Sequence, residues 1–399
     1  MKGLLRHGLI YNFFRTILRQ VVKFKFNYTY EKVEPRNQPF IVLSNHTTNY
    51  DPIMIGLSFP GLLYYVASDH IFRLGILSKL LVFLVDPIPR LKATAETQTV
   101  KQILKRIRAG HSVCIFAEGN RSFSGETVDI PESTGKLIKL SGAALITYRL
   151  EGGYFSSPRW SKTLRRGRMR GRKVREYSPE EIKGMTVDEL NNVIKNDLYV
   201  NAYEENKEHP IAFIGKRLAE NLETALYLCP VCERIGTLKS EDDRFYCSCG
   251  LSLKYTPYGN FVSNGNSTVP FDTVLEWSNW QSSKIKELAR SFKELPPNKP
   301  VFSDEGQSLF GIDKASKSQL IGKGKLCMYN NRLSFHCENG AEYTFDFNEI
   351  SDMAIHGQMV LIFSTVDHKS FEIKSNHPRS AIKYLDVYKE LKTRGKSEG

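Results

Sequence analysis

Two short polar segments of the sequence carry residue types that could do chemistry together. The imidazole of His46 stands about one helical turn before the carboxylate of Asp51. Downstream, Arg121 lies in a turn that also contains Glu118 and Gly119. A histidine paired with a carboxylate can take a proton from a hydroxyl, and an arginine can hold a phosphate through its forked donors. Together the two segments indicate acyl transfer to a phosphorylated alcohol.

Both segments follow predicted strands. Residues 40–43 and 112–116 are short apolar runs that predict buried strands, and a helix is predicted to begin at Asp51, with Pro52 at its first position. Ligands of α/β sheets lie at the carboxyl ends of strands, so we expect the two segments to converge. The spacing alone is weak, because a His followed five residues later by Asp arises by chance roughly 0.4 times in such a chain. An isolated pair of this kind is more often a local hydrogen bond at a helix terminus.

The chemistry requires a base, because an alcohol is too weak an acid to attack a thioester at neutral pH. We predict that His46 is this base, and later the acid, while Asp51 fixes its tautomer. Arg121 and Arg90 are the predicted phosphate ligands. Arg90 could equally be a solvated surface residue after its Pro-bounded strand.

The turn around Arg121 supplies two further candidates. Gly119 would allow the backbone to approach the substrate closely. Glu118 accepts hydrogen bonds only, when ionised, and is therefore predicted to orient Arg121 or a glycerol hydroxyl rather than touch phosphate.

These segments resemble the glycerophospholipid acyltransferases of the lysophosphatidic acid acyltransferase type. The first family motif, N-H-x-x-x-x-D, is matched by Asn45, His46 and Asp51. The third motif, F-P-E-G-T-R-S, is matched at Phe116, Glu118, Gly119, Arg121 and Ser122, with Ala117 and Asn120 differing from it. The second motif, a strand ending in arginine, is similar to Ile88-Pro89-Arg90.

The resemblance implies a fold and an activity for residues 28–215. The fold would be α/β, a mixed sheet flanked by helices. The activity would move an acyl group from acyl-CoA or acyl-carrier protein to a lysophospholipid, above all 1-acylglycerol 3-phosphate. His46 and Asp51 would be catalytic, and the substrate-binding residues would be Asn45, Arg90, Glu118, Gly119, Asn120 and Arg121.

The charge balance is basic, with 56 Lys and Arg against 43 Asp and Glu. Residues 1–27 contain Lys2, Arg6, Arg15, Arg19, Lys23 and Lys25 and have no acidic residue. An apolar stripe of the same segment comprises Leu5, Leu9, Phe13, Ile17 and Val21. This pattern predicts an amphipathic helix on an anionic membrane surface, and the alternative is a helix packed on the protein's own core.

No segment is predicted to span a membrane. Residues 71–85 are apolar but carry Arg73 and Lys79, which indicates an interfacial helix or a core helix. Residues 1–27 also lack the apolar stretch and cleavage site of a signal peptide. We therefore expect a peripheral, monotopic protein at the cytoplasmic face of a membrane.

A second basic cluster runs from Arg159 to Arg175. It suggests nucleic acid as a rival partner, because such runs neutralise any phosphate. Its only aromatic residue is Trp160, so a stacking surface for single strands is missing, and we predict no nucleic-acid binding. Residues 168–175 could form an edge strand, and their charges either contact headgroups or are simply solvated.

Four of the seven cysteines indicate a metal site within residues 225–262. Cys229 and Cys232 form a C-x-x-C motif, and Cys247 and Cys249 form a C-x-C motif. Such knuckles are similar to those of a zinc ribbon, which holds structural zinc with four thiolates. The alternatives are a metal-free ribbon or a redox pair. An odd number of cysteines in a cytosolic chain disfavours structural disulfides.

Residues 270–399 are predicted to form a helix followed by a β-rich domain. Short alternating strands are predicted at 325–329, 332–336, 342–347, 360–364 and 370–373, with a final helix at 378–391. This pattern resembles a pleckstrin-homology-like barrel.

Three functions remain in competition. The first is lysophospholipid acylation, with the acceptor headgroup, acyl length, donor and oligomeric state left open. The second is a zinc-containing nucleic-acid-binding protein, which the paired motifs and the amphipathic N-terminal segment disfavour. The third is a catalytically silent, membrane-bound adaptor, which the intact His46 and Asp51 disfavour.

Overall fold

A computed structural model of the chain describes residues 15–34, 36–68, 86–90, 96–312 and 318–393. These residues divide into two compact units. The first lies within Met1–Arg159 and Leu164–Gly215, and the second within Trp160–Thr163 and Lys216–Gly399. The predicted helix at 71–85 and the first half of the N-terminal stripe lie outside the described residues.

The first unit is built on a mixed seven-stranded sheet with the order β1-β7-β6-β2-β5-β3-β4. Its strands are β1 (Tyr28–Tyr30), β2 (Phe40–Ser44), β3 (Tyr64–Ser68), β4 (Ile88–Arg90), β5 (Val113–Phe116), β6 (Ala144–Glu151) and β7 (Met169–Tyr177). Only the β6–β7 pair is antiparallel. The predicted α/β fold with a mixed sheet is confirmed.

Helices cover both faces of this sheet. They are α1 (described over 15–26), α2 (Asp51–Ser58), α3 (Glu96–Arg108), α4 (Ser133–Ser141), α5 (Gly153–Ser156), α6 (Pro179–Gly184), α7 (Val187–Leu198) and α8 (Ala202–Glu208). Alternate residues of β2 point to opposite faces, so Val42 packs with α1 and α2, and Leu43 packs with α3, α4 and α7. The central strands are therefore buried on both sides.

The register of the central strands explains why the two polar segments meet. Ser44, at the end of β2, is the register partner of Phe116, at the end of β5. The pairing continues one residue further, since the Ala117 N–H donates to the Ser44 carbonyl at 3.1 Å. The loops that begin with Asn45 and Ala117 thus leave the sheet side by side.

The second basic cluster is placed differently from the prediction. Strand β7 lies between β1 and β6, so it is not an edge strand. The short strand β1 covers it, a pairing 140 residues away in sequence that local pattern does not reveal. Several of its basic residues form ion pairs: Arg170 with Glu31, Arg172 with Glu151, Lys173 with Glu176 and Arg175 with Glu181.

The N-terminal helix α1 has a buried side and an exposed apolar side. Val22 and Phe26 lie in the core, whereas 46% of Ile17 and 78% of Phe24 are exposed. Within the described part of the chain, no helix combines the length and the apolar character needed to cross a membrane.

The second unit begins with a four-stranded antiparallel sheet of order β11-β10-β9-β8. Its strands are β8 (Leu238–Glu241), β9 (Arg244–Cys247), β10 (Ser252–Tyr255) and β11 (Phe261–Ser263), and helix α9 (Val274–Lys293) follows. The buried Trp277 of α9 packs on Phe245 and Phe261 from this sheet.

A seven-stranded antiparallel sheet completes the second unit, with the order β15-β14-β13-β12-β18-β17-β16. Its strands are β12 (Phe302–Ile312), β13 (Ser318–Met328), β14 (Arg332–Cys337), β15 (Glu342–Asp346), β16 (Ile350–His356), β17 (Val360–Thr365) and β18 (Ser370–Ser375), and α10 (Ile382–Thr393) follows. The β-rich C-terminal region is confirmed. Two of its strands, β12 and β16, were not predicted.

Candidate active site

The predicted base and carboxylate are in direct contact. The Nδ1 of His46 lies 2.8 Å from Oδ2 of Asp51. A carboxylate only accepts, so Nδ1 carries the proton and Nε2 is left as a free base. The side chain of Asp51 is fully buried and that of His46 is 22% exposed, so solvent reaches the imidazole but not its partner.

The carboxylate of Asp51 is fixed by the loop that precedes it. The backbone N–H groups of Thr47 and Thr48 donate to Oδ2 at 2.6 and 2.9 Å. The hydroxyl of Thr48 donates to Oδ1 at 2.6 Å. These donors stabilise the ionised carboxylate in a buried position. Neither threonine was predicted from the sequence to take part in the site, and neither caps α2, whose N-cap is Tyr50.

Glu118 connects the two motifs through the backbone. Its Oε1 accepts from the His46 N–H at 2.7 Å, and its Oε2 accepts from the Val128 N–H at 2.7 Å. Burial raises the pKa of Glu118 to about 7, although the two N–H bonds oppose the rise. Glu118 therefore positions the His46 loop, whereas the sequence predicted that it orients Arg121 or the substrate.

We expect Glu118→Gln to lower kcat/KM by roughly 10- to 100-fold, because an amide has one accepting atom for two N–H donors and misplaces the His46 loop. The variant should also change the pH dependence of stability. Between about pH 4.5 and 7 the carboxyl of Glu118 is protonated in the folded wild type and ionised in the unfolded wild type. The contribution of Glu118 to the free energy of unfolding therefore falls as pH rises.

Kinetic assays and thermal melts between pH 5 and 8 test this expectation, with exposed Glu132→Gln as the matched control. Wild type should lose more stability across this range than Glu118→Gln. Equal activity and parallel stability curves for the two proteins would contradict the role of Glu118.

Asn45 supports the loop from the other side. Its amide Nδ2 donates to the Leu150 carbonyl and its Oδ1 accepts from the Leu150 N–H, both at 2.8 Å. The side chain is buried, and both its polar ends are used in these bonds. The structure thus places Asn45 as a bridge between the end of β2 and the end of β6, in place of the substrate contact that the motif implied.

The turn with Arg121 lies beside the His46 loop. Gly119 has φ 67°, a left-handed conformation that favours glycine. Ser122 lines the same cleft as His46 and Glu118. The guanidinium of Arg121 reaches the Ser157 carbonyl at 3.5 Å, and Asn120 is exposed. Of the predicted phosphate ligands, only Arg121 is described with its side chain. For Arg90 the structure gives the backbone alone, at the end of β4.

A ring contact completes the surroundings of the imidazole. Phe116 stacks on His46 with 4.4 Å between ring centres and 24° between planes. Together with the bond to Asp51, this contact limits rotation of the imidazole. The site thus presents one oriented base next to a turn that carries a cation.

The four predicted zinc ligands lie together in the second unit. Their Sγ atoms are all within 4.8 Å of one another. Two Sγ pairs, Cys229 with Cys249 and Cys232 with Cys247, are 3.7 and 3.8 Å apart. The edge of a tetrahedron with Zn–S bonds of 2.3 Å is about 3.8 Å, so this donor set fits a zinc ion.

The unequal knuckles converge because their turns differ by one residue. The Cys229 N–H donates to the carbonyl of Arg234, five positions later. The Cys247 N–H donates to that of Leu251, four positions later. Gly250, with φ 105°, closes the tighter turn.

Several solved structures are similar to parts of this chain. Among solved structures, the LPA acyltransferase PlsC from Thermotoga maritima is 15% identical, with a TM-score of 0.38, and the match covers 46% of this chain and 78% of that one. Two further similarities are weaker. Dcp1p is 15% identical with a TM-score of 0.19, covering 27% of this chain and 94% of that one. The C-terminal domain of an unknown protein from Leishmania infantum is 14% identical with a TM-score of 0.18, covering 26% and 94%.

TM-scores of this size do not establish a shared fold. The similarity to acyltransferases depends on the match to a family model. Residues 25–150 match the family model described as Acyltransferase. That range contains the His46–Asp51 pair and the whole Glu118–Ser122 turn. Residues 25–150 of this chain are therefore similar to the acyltransferase family.

Proposed function

We propose that this protein transfers a fatty acyl group from an acyl-CoA or acyl-carrier-protein thioester to the free hydroxyl of a lysophospholipid. The acceptor that fits best is 1-acylglycerol 3-phosphate, which would give phosphatidic acid. The observation that carries the proposal is the oriented His46–Asp51 pair, joined through Glu118 to the turn that holds Arg121.

The reaction follows from the free Nε2 of His46. This atom takes the proton of the acceptor hydroxyl as the oxygen attacks the thioester carbonyl carbon. The imidazolium that forms is stabilised by Asp51. Collapse of the tetrahedral intermediate breaks the C–S bond, and the proton passes from His46 to the departing thiolate. The products are the ester and a free thiol, and His46 regains its starting state.

The position of Arg121 supports the proposal that the acceptor carries a phosphate. The free hydroxyl of 1-acylglycerol 3-phosphate is on the carbon next to the phosphorylated one, so a phosphate held by Arg121 keeps the hydroxyl within a short, fixed reach. We propose Arg90 as a second ligand, since β4 ends at this residue. Another lysophospholipid headgroup is the alternative acceptor. An inactive adaptor would not require a histidine oriented by a carboxylate, so the hydrogen-bonded His46–Asp51 pair disfavours that alternative.

A panel of lysophospholipids with one labelled acyl-thioester donor tests the proposed function. We expect the highest kcat/KM with 1-acylglycerol 3-phosphate and lower values with choline, ethanolamine and glycerol headgroups. Preference for another headgroup would transfer the assignment to that lipid. No ester product from any acceptor would refute the activity, and salt-sensitive binding of nucleic acid would then favour the rival function.

We also propose that the four-cysteine cluster binds one structural zinc ion and is a zinc ribbon. Two observations support this proposal. The spacing of the four Sγ atoms is near-tetrahedral, and the chain around the two cysteine pairs forms an antiparallel sheet.

For the C-terminal sheet we propose a pleckstrin-homology-like fold. Its antiparallel strand order and the final helix α10 support this proposal.

We further propose that the first unit contacts an anionic membrane at the cytoplasmic face, through what we term the apolar–basic patch: Ile17, Phe24, Leu164, Arg166 and Ile214. Four of these side chains are apolar and between 37% and 78% exposed. Arg166 joins them, because its backbone pairs with Ile214 and its Nε donates to the Phe24 carbonyl at 3.1 Å. Exposed apolar groups beside a cation suit the headgroup region of an anionic bilayer.

We expect Phe24→Ser combined with Ile214→Ser to weaken binding to anionic vesicles by at least about tenfold, since burying each side chain contributes about 1.5–3 kcal/mol. Point variants are preferable to removal of residues 1–27, because Val22 and Phe26 belong to the core. Vesicle co-sedimentation measures the effect. The control is Val366→Ser, a residue 60% exposed in the second unit. Undiminished binding of the double variant would contradict the proposed patch.

A further inference from the structure

A second guanidinium lies against the turn that holds Arg121. Arg159 is 7% exposed, and its Nη1 donates to the Arg121 carbonyl at 2.7 Å. Its Cζ stacks 4.1 Å from the centre of the Phe123 ring. Arg159 therefore fixes both ends of the short turn from Arg121 to Phe123. The sequence placed this residue in a surface basic cluster and gave it no role in the site.

The arrangement concentrates positive charge where it is poorly solvated. Burial lowers the pKa of Arg159 to about 9, with the nearby charge of Arg121 adding to the effect. Burial also lowers the pKa of Arg121. Within the described residues the guanidinium of Arg121 forms no ion pair, and its one hydrogen bond, to the Ser157 carbonyl, is long at 3.5 Å. A bound anion would relieve the cost of burying the Arg121 guanidinium.

The positive charge of Arg121 lies near His46, the proposed base for the acceptor hydroxyl. Ser122, which follows Arg121 directly, shares a cleft with His46, and the charge of Asp51 acts on Arg121. An anion at the turn would thus lie close to the base, as a phosphate next to the reacting hydroxyl requires.

We propose that Arg159 is a specificity-determining residue: it positions the Arg121 turn and adds a second positive charge there, so that the site selects phosphate-bearing acceptors over neutral ones. This inference rests on the proposed function and names a residue that the family motifs do not include. Because Arg159 acts through Arg121 and through its charge, it should govern binding of the phosphate more than the rate of the chemical step.

The test compares Arg159→Met and Arg159→Lys with wild type on two acceptors, 1-acylglycerol 3-phosphate and uncharged monoacylglycerol. For Arg159→Met we expect KM for the phosphorylated acceptor to rise at least about tenfold, with kcat changed less than about threefold. Activity on monoacylglycerol should not fall. Arg159→Lys keeps the charge but loses the fork, and its KM should be intermediate. Arg170→Met is the control, since Arg170 is an exposed arginine paired with Glu31.

One result would overturn the inference while leaving acyl transfer intact: an unchanged ratio of kcat/KM for the two acceptors in Arg159→Met, whether neither value falls or both fall equally. A readout independent of catalysis is thermal stabilisation by glycerol 3-phosphate. We expect it in wild type and Arg170→Met and expect it to be absent in Arg159→Met. If wild type transfers no acyl group, the proposed function fails, and this binding measurement still decides the role of Arg159.

Discussion

His46→Ala is expected to lower kcat for acyl transfer by about two to four orders of magnitude, because the variant loses the group that takes the hydroxyl proton. The fold should persist. The side chain is partly exposed, and among the described residues its one polar contact is the hydrogen bond to Asp51. Asp51 keeps its bonds from Thr47 and Thr48 in the variant, so no buried carboxylate is left without donors.

Steady-state rates with saturating donor measure this effect, and circular dichroism checks the fold. His209→Ala is the matched control, because His209 is exposed at the end of α8. The control should keep wild-type activity. A His46→Ala protein with the rate of the control would show that the ester bond forms without this base.

Loss of the metal is expected to have the largest effect on stability. Replacing one cysteine of each knuckle, Cys232→Ser with Cys249→Ser, should abolish zinc binding and unfold the sheet β8–β11. Structural zinc contributes about 10–16 kcal/mol of apparent binding free energy in small zinc-binding peptides, more than a sheet of this size gains from packing alone. The same reasoning predicts that a strong chelator lowers the melting temperature of the wild type.

Elemental analysis of protein purified without chelators should give one zinc per chain, and none for the double variant. Cys337→Ser is the control, since Cys337 lies in strand β14, outside the four-cysteine cluster. The control should retain its zinc. Wild-type protein without zinc, and with a melting temperature insensitive to chelator, would remove the zinc proposal.

Local signals in the sequence predicted the elements that they directly specify. Ser178 and Thr186 are each followed three residues later by a glutamate, which is the sequence pattern of a capping box, and both form complete boxes with Glu181 and Glu189. The start of α2 at Asp51, followed by Pro52, was readable in the same way. The strands that end beside the site were predicted from short apolar runs, too short for a typical helix.

The roles of Asn45, Glu118 and Arg159 could not be predicted, because their partners are backbone groups distant in sequence. Asn45 bonds to Leu150, 105 residues away, and Glu118 bonds to the His46 N–H, 72 residues away. A motif shows that such residue types occur but not whether they face the substrate or the loop. Only the register of β2 with β5 and β6 decides this.

Strand β12 was missed for a different reason. Its sequence includes Asp304, Glu305 and Gly306, which read as a turn, and its pairing with β13 shifts register between Asp304 and Gln307. Such an irregularity interrupts the alternation of apolar and polar residues on which strand prediction depends. Asp304 is instead bonded to Lys383 and Tyr384 of α10, which is a tertiary reason for an acid in this strand.

The role of His46 in acyl transfer is tested by the stoichiometry of the reaction with labelled acyl-CoA and 1-acylglycerol 3-phosphate. We expect one free thiol for each diacyl ester formed by the wild type, and a parallel loss of both products in His46→Ala. Thiol release without ester would show hydrolysis in place of transfer. Equal ester formation by both proteins would contradict the assignment of His46 as the base.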